Sequence, residues 1–194
     1  MRFLLVVLGA LAWPARVDSQ EPGPLAGVVS TRATVGADAP LFERMIGTWD
    51  VLQRTRSDAG WPETADRALW IWTRTLGGSA VQDYWIAPPG HDGPGWEGQI
   101  GTNVRIFGAD ADAWRIVWTA TDEPGFAEYR AVDDGDRVVM TGAHPGAEAP
   151  ASRITYRLLA ADTLDWLLEF RRPDGGWIDV SRARAVRRPP ASAR

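Results

Sequence analysis

The sequence has 194 residues, of which 45 % are apolar, and its 25 acidic and 21 basic residues leave a formal net charge of −4. This apolar content suffices for one packed domain and excludes a disordered chain. All the basic residues are arginine, and no run of them is long enough to indicate nucleic-acid binding. The absence of cysteine excludes disulfides, thiol catalysis and cysteine-ligated metals, and the two histidines, His91 and His144, lie in glycine- and proline-rich segments. We therefore expect no metal site and no cofactor.

The N-terminal residues predict an export signal. Arg2 precedes an apolar run at residues 3–13, and the small or tolerated side chains of Val17 and Ser19 offer a cleavage site before Gln20. The run is shorter than the roughly 20 residues that a transmembrane helix needs. We expect residues 1–19 to be a signal peptide and residues 20–37 to be a flexible lead-in. The mature protein would then be periplasmic or extracellular, with no stable membrane insertion.

Residues 38–188 predict one all-β domain, with a disordered tail at residues 189–194. Asp38 as N-cap and Pro40 in the first turn predict a short amphipathic helix that ends at Gly47. After that helix, apolar and polar residues alternate, and turn residues recur at short intervals. The predicted strands lie at about residues 47–56, 67–75, 80–87, 97–107, 113–121, 126–132, 136–141, 151–159, 163–171 and 176–187. Consecutive hairpins of this kind favour an up-and-down antiparallel barrel of about 8–10 strands, because closure leaves no exposed edge.

Three segments together resemble a known pattern. Gly47 and Trp49 open the first strand after a short helix, as in lipocalins and their calycin relatives, and the other two segments are residues 103–118 and 170–177. In this combination they resemble an uncharacterised bacterial family of calycin-like domains of unknown function. The resemblance spans about residues 41–187. It implies a lipocalin-like barrel and no established activity.

The resemblance also implies how one end of the barrel closes. In calycins the tryptophan of the first strand plugs that end, and an arginine of the last strand lies over its ring. Arg182 and Arg184 share a strand face with Ile178 and Val180, so we expect one of these arginines to cover Trp49. A second calycin-like family binds haem through a histidine on the closing strands, and no histidine follows His144 here.

Aromatic and polar residues inside the predicted strands are candidate ligand contacts. The aromatic side chains would line a pocket for a small hydrophobic or amphipathic molecule, and an inward arginine would bind a carboxylate at its floor. The candidates are Trp72, Trp85, Arg105, Trp118, Tyr129 and Tyr156.

Three functions stay open at this stage. The first is an exported binding protein for a small ligand of unknown identity. The second is an isomerase or cyclase that uses Asp83 or Glu169 as an inward acid or base together with an arginine. The third is a filled barrel that acts as a structural or interaction module. We assign no catalytic residue and favour binding over catalysis, because the sequence contains no nucleophile elbow, catalytic triad or phosphate loop.

Overall fold

Ten antiparallel strands follow one another around a closed barrel in a computed structural model that describes residues 40–90, 98–108, 112–143 and 151–189. Each strand pairs with its neighbours in sequence, and the first strand pairs with the last. The elements are α1 (Leu41–Arg44), β1 (Gly47–Thr55), β2 (Asp66–Thr75), a 3₁₀ turn (Leu76–Gly78), β3 (Ala80–Ala87), β4 (Gln99–Gly108), β5 (Ala113–Ala120), β6 (Glu123–Asp134), β7 (Arg137–Ala143), β8 (Ser152–Ala160), β9 (Thr163–Arg171) and β10 (Trp177–Arg187).

The predicted fold class is confirmed. Each predicted strand corresponds to one observed strand, and the largest difference is in β6, which extends three residues earlier and two residues later than expected. No helix among the described residues is long and apolar enough to span a bilayer. The predicted signal peptide and lead-in lie outside the described residues, as does most of the predicted tail.

Alternation along each strand builds the core. In β8, for example, Ile154, Tyr156 and Leu158 are buried, whereas Arg157 between them is exposed. Side chains of the same parity on all ten strands therefore share one interior, as the period of two residues requires.

The helix α1 fills one end of this interior. The ring of Phe42 packs 5.3 Å from the rings of both Trp114 and Tyr156, measured between centroids. In the structure Pro40 occupies the N-cap position, with no side-chain cap, whereas Asp38, the predicted N-cap, lies outside the described residues. Instead, the backbone N–H of Leu41 donates to the carboxylate of Asp133 on β6, at 2.7 Å. This bond ties the start of the helix to the barrel wall.

The structure corrects the expected pair at the closed end. The guanidinium of Arg187, and not that of Arg182 or Arg184, lies over Trp49, 4.1 Å from the ring centroid. Arg187 also donates to the backbone oxygens of Ile46 and Arg44. Arg182 and Arg184 point outside the barrel, where the first stacks on a surface tryptophan and the second pairs with a carboxylate.

A β-bulge explains the correction. The pairing of β10 with β9 shifts between Asp179 and Ser181, so that Val180 is an extra residue in the ladder. One extra residue moves every later side chain to the opposite face. Arg182 and Arg184 therefore do not share the face of Ile178, as uninterrupted alternation predicted.

Candidate functional site

The barrel interior opens into a cavity of about 200 Å³ at the end opposite α1. Gln53 is near the end of β1 and Gln99 is at the start of β4, so the lining reaches the strand ends farthest from the helix. An engineered cavity of about 150 Å³ binds benzene, whereas typical ligand pockets span about 300–1,000 Å³. The space is therefore suited to a molecule of one or two rings. The lining residues are Trp70, Trp85, Trp118, Trp166, Tyr129, Tyr156, Met140, Ile154, Leu168, Gln53, Gln99, Asn103 and Glu123.

Two inward-facing glycines leave room for aromatic rings at the open end. A Cβ on Gly101 would lie 1.9 Å from the ring of Trp118, and a Cβ on Gly142 would lie 2.6 Å from the ring of Tyr129. Both distances are far shorter than any van der Waals contact. Each ring therefore occupies space at the barrel wall that a side chain at the glycine would take.

A buried polar network lies beneath the cavity. The carboxylate of Asp83 accepts hydrogen bonds from the indole N–H of Trp70, the guanidinium of Arg105 and the backbone N–H of Asn103, each at 2.8 Å. Asp83 and Arg105 are both fully buried. A buried ion pair of this kind is costly to break, because either partner alone would be an uncompensated charge.

Arg105 belongs to the core beneath the cavity. Its guanidinium lies between two aromatic rings, 4.2 Å from the centroid of Trp72 and 4.7 Å from that of Phe42. Neither Arg105 nor Trp72 lines the cavity. Asp83 and the two rings therefore already surround the guanidinium of Arg105. This position does not fit the expectation that an inward Arg105 would bind an anionic ligand.

The other four predicted contacts, Trp85, Trp118, Tyr129 and Tyr156, line the cavity together. Trp70, Asn103 and Trp166 are among the nine lining residues that the sequence prediction missed. Trp70 and Asn103 each lie two residues from a predicted contact, and Trp166 lies on a strand of alternating apolar residues. Strict alternation along the strands would therefore have identified these three residues.

The side chain of Asn103 has one hydrogen-bonding atom that is without a partner among the described residues. Its side chain is only 5 % exposed, and its amide nitrogen donates to the carboxylate of Asp83 at 3.0 Å. Its carbonyl oxygen has no hydrogen-bond partner among the described residues. A buried acceptor without a partner is uncommon in folded proteins.

The carboxylates considered for catalysis are engaged elsewhere. Asp83 accepts at both oxygens, as described above. Glu169 points outside the barrel, where both its oxygens accept from Arg153, at 2.7 and 2.6 Å. Neither residue lines the cavity, so the arrangement required for an inward acid or base at these two positions is not present.

The lining is close to electrically neutral. Burial raises the pKa of Tyr156 to about 12 and also raises the pKa of Tyr129, so both phenols stay protonated at physiological pH. Glu123 supplies the single carboxylate of the lining and accepts from the indole N–H of Trp118, at 3.2 Å. No basic residue is among the lining residues that the structure describes. Within the described residues, no group of three or more His, Asp or Glu side chains is placed to hold a metal ion.

No known protein family and no curated protein matches the sequence. Among solved structures, the chain is similar to the S-type phycobiliprotein lyase CPES from Guillardia theta, with 13 % identity, a TM-score of 0.51, and coverage of 80 % of this chain and 96 % of that chain. It is also similar to Rv2717c from M. tuberculosis, with 15 % identity, a TM-score of 0.50, and coverage of 75 % of this chain and 94 % of that chain. The fold is calycin-like. At these identities the likeness extends to the fold alone, and membership of the uncharacterised family that the motifs resemble stays a prediction.

Proposed function

We propose that the protein binds a small, mostly apolar aromatic molecule inside its barrel. The observation that carries this proposal is the cavity of about 200 Å³ with four tryptophans and two tyrosines in its lining. A small barrel is often filled by its own side chains. Here the absence of side chains at Gly101 and Gly142 lets two rings lie against the wall. This arrangement favours a ligand site over a filled structural module.

Binding is better supported than catalysis. One structural neighbour is a lyase, so the fold likeness does not separate the two functions. What favours binding is that the two carboxylates considered for catalysis, Asp83 and Glu169, are held by hydrogen bonds and do not line the cavity. The lining offers aromatic faces and hydrogen-bonding groups, which suit recognition of a flat molecule.

Filling the cavity tests the proposal. Leu168 lines the cavity, whereas its neighbour Leu167 faces outside and pairs across the ladder with the exposed Arg182. We expect Leu168→Trp to weaken binding of the two-ring probe indole by at least about tenfold, since the larger side chain would occupy the ligand space. Leu167→Trp, the matched control, should bind indole as the wild type does. Isothermal titration calorimetry measures both.

Two results would contradict the proposal. If the wild-type protein binds neither indole nor single-ring aromatic probes, the cavity does not act as a binding site for small aromatic molecules. If Leu168→Trp and Leu167→Trp bind indole equally well, the binding site lies elsewhere. Native mass spectrometry of protein purified from its own host would then show whether any small molecule co-purifies with it.

We also propose that the protein is exported. The support is the charged Arg2, the apolar run at residues 3–13 and the small side chains before Gln20. The full chain, expressed in its own host with a C-terminal tag, should be recovered from the cell envelope or medium with Gln20 as its first residue. Recovery of the intact chain from the cytoplasm would overturn this proposal.

A further inference from the structure

The free carbonyl oxygen of Asn103 gives the cavity a chemical preference. The side chain is on β4, inside the barrel, and belongs to the cavity lining. This oxygen has no partner among the described residues, and the same holds for Nε and Nη1 of Arg105. Of these two residues only Asn103 lines the cavity. A molecule in the cavity is thus the group available to satisfy it.

Asp83 fixes the direction in which this oxygen points. The amide nitrogen of Asn103 donates to both carboxylate oxygens of Asp83, at 3.0 and 3.3 Å. Rotating the amide by 180° would place two acceptors against each other, a carbonyl oxygen and a carboxylate. Asp83 is itself held by Arg105 and by the indole N–H of Trp70, so it cannot turn away. The acceptor is therefore oriented before any ligand arrives, which lowers the cost of binding.

We propose that the cavity selects aromatic molecules that carry an N–H or O–H donor and no negative charge. This inference rests on the proposed function. The donor would bond to the carbonyl oxygen of Asn103 while the rings pack against the tryptophans and tyrosines of the lining. A ligand without a donor leaves a buried acceptor unsatisfied, and the loss of affinity is expected to be about tenfold or more.

The charges around the cavity support the exclusion of anions. Glu123 is the charged residue of the lining, and the positive charge of Arg105 is neutralised by Asp83 beneath it. An aromatic carboxylate would meet the carbonyl oxygen of Asn103 and the carboxylate of Glu123 with no basic side chain of the lining to balance it. Phenols, indoles and aromatic amines avoid this penalty.

Four indole probes test the preference on the wild-type protein. Indole and 3-methylindole carry the N–H donor, whereas 1-methylindole matches 3-methylindole in volume and lacks the donor. We expect calorimetric titration to show 1-methylindole binding at least about tenfold more weakly than 3-methylindole. Indole-3-carboxylate should bind more weakly than both.

A variant pair locates the effect at Asn103. Asn103→Leu keeps the approximate shape and removes the acceptor, and Asp83 keeps its bonds to Trp70, Arg105 and the backbone. It should bind 1-methylindole and 3-methylindole with similar affinity. Gln82→Leu makes the equivalent change on the outer face of the adjacent strand β3, where the amide donates to Thr102, and should keep the wild-type preference.

The outcomes separate the two proposals. Equal binding of 1-methylindole and 3-methylindole by the wild type would overturn the donor preference and leave the binding function standing. Failure of all the indole probes to bind would overturn both. If Asn103→Leu does not fold, as judged by near-ultraviolet circular dichroism, the probe series on the wild type decides the matter alone.

Discussion

The two ends of the barrel differ in how far their own side chains close them. At the closed end, the indole N–H of Trp49 donates to the backbone oxygen of Met45 at 2.7 Å, and Arg187 covers the ring while it donates to two further backbone oxygens. At the open end, the rings of Trp85 and Trp118 are partly exposed, and an acceptor on Asn103 has no partner among the described residues. The closed end is sealed by contacts among its own groups around Trp49, whereas the open end leaves aromatic rings and one acceptor at the cavity. The core packed against Phe42 also contains polar atoms without a partner among the described residues, at Trp72, Arg105 and Trp114.

This difference separates stability from recognition along the barrel axis. Side chains that are fully packed against their neighbours contribute to folding, whereas side chains that border an open cavity bury less surface. The closed end should therefore tolerate little change in its side chains. The open end should tolerate more, at the expense of ligand affinity.

The largest effect on stability should come from truncating Trp49, the tryptophan at the closed end of the barrel. Trp49→Ala removes a fully buried ring and leaves Arg187 without its aromatic partner, so we expect a loss of about 3–5 kcal/mol in the free energy of unfolding. Trp118→Ala, at the open end, should cost much less stability and should weaken indole binding. Urea denaturation and calorimetric titration of both variants would measure the contrast. A larger loss of stability in Trp118→Ala than in Trp49→Ala would refute the division between the ends.

A smaller effect should distinguish Arg187 from the outward arginines of the same strand. Arg187→Met keeps most of the aliphatic stem and removes both the cation–π contact and the bonds to the helix, which should cost about 2–3 kcal/mol. Arg184→Met removes an exposed pair with Asp165 and should leave the urea midpoint almost unchanged. Equal losses in the two variants would contradict the assignment of Arg187 as the closing residue.

The smallest effect is a dependence on alkaline pH. Burial raises the pKa of Tyr156 from near 10 to about 12, so the folded state holds this proton more tightly than the unfolded state. The contribution of this phenol to the free energy of unfolding is complete below pH 10 and declines as the pH rises from 10 to 12. About 1 kcal/mol of it is lost by pH 11. Urea denaturation at pH 8 and pH 11 should show a smaller decline in Tyr156→Phe than in the wild type. An identical decline in both proteins would contradict a contribution of the Tyr156 phenol to the loss of stability at alkaline pH.

The alternation of side chains was enough to predict the barrel and four of the residues that line its cavity. It located all ten strands, because a period of two residues and the turn residues between strands are local properties of the chain. It failed at Val180, since nothing in the local pattern marks the extra residue, and the error carried to Arg182 and Arg184. The partner of Arg105 was also beyond the pattern, because Asp83 meets it through a pairing between strands.

The pairing of β1 with β10 brings both ends of the described chain to the same side of the barrel. Pro40 precedes the helix at the closed end, and Arg188, which follows β10, donates to the carboxylate of Asp50 on β1. The mouth of the cavity faces the other way. A fusion partner or surface tether joined directly before Pro40 or after Arg188 would thus start at the end of the barrel away from the cavity mouth.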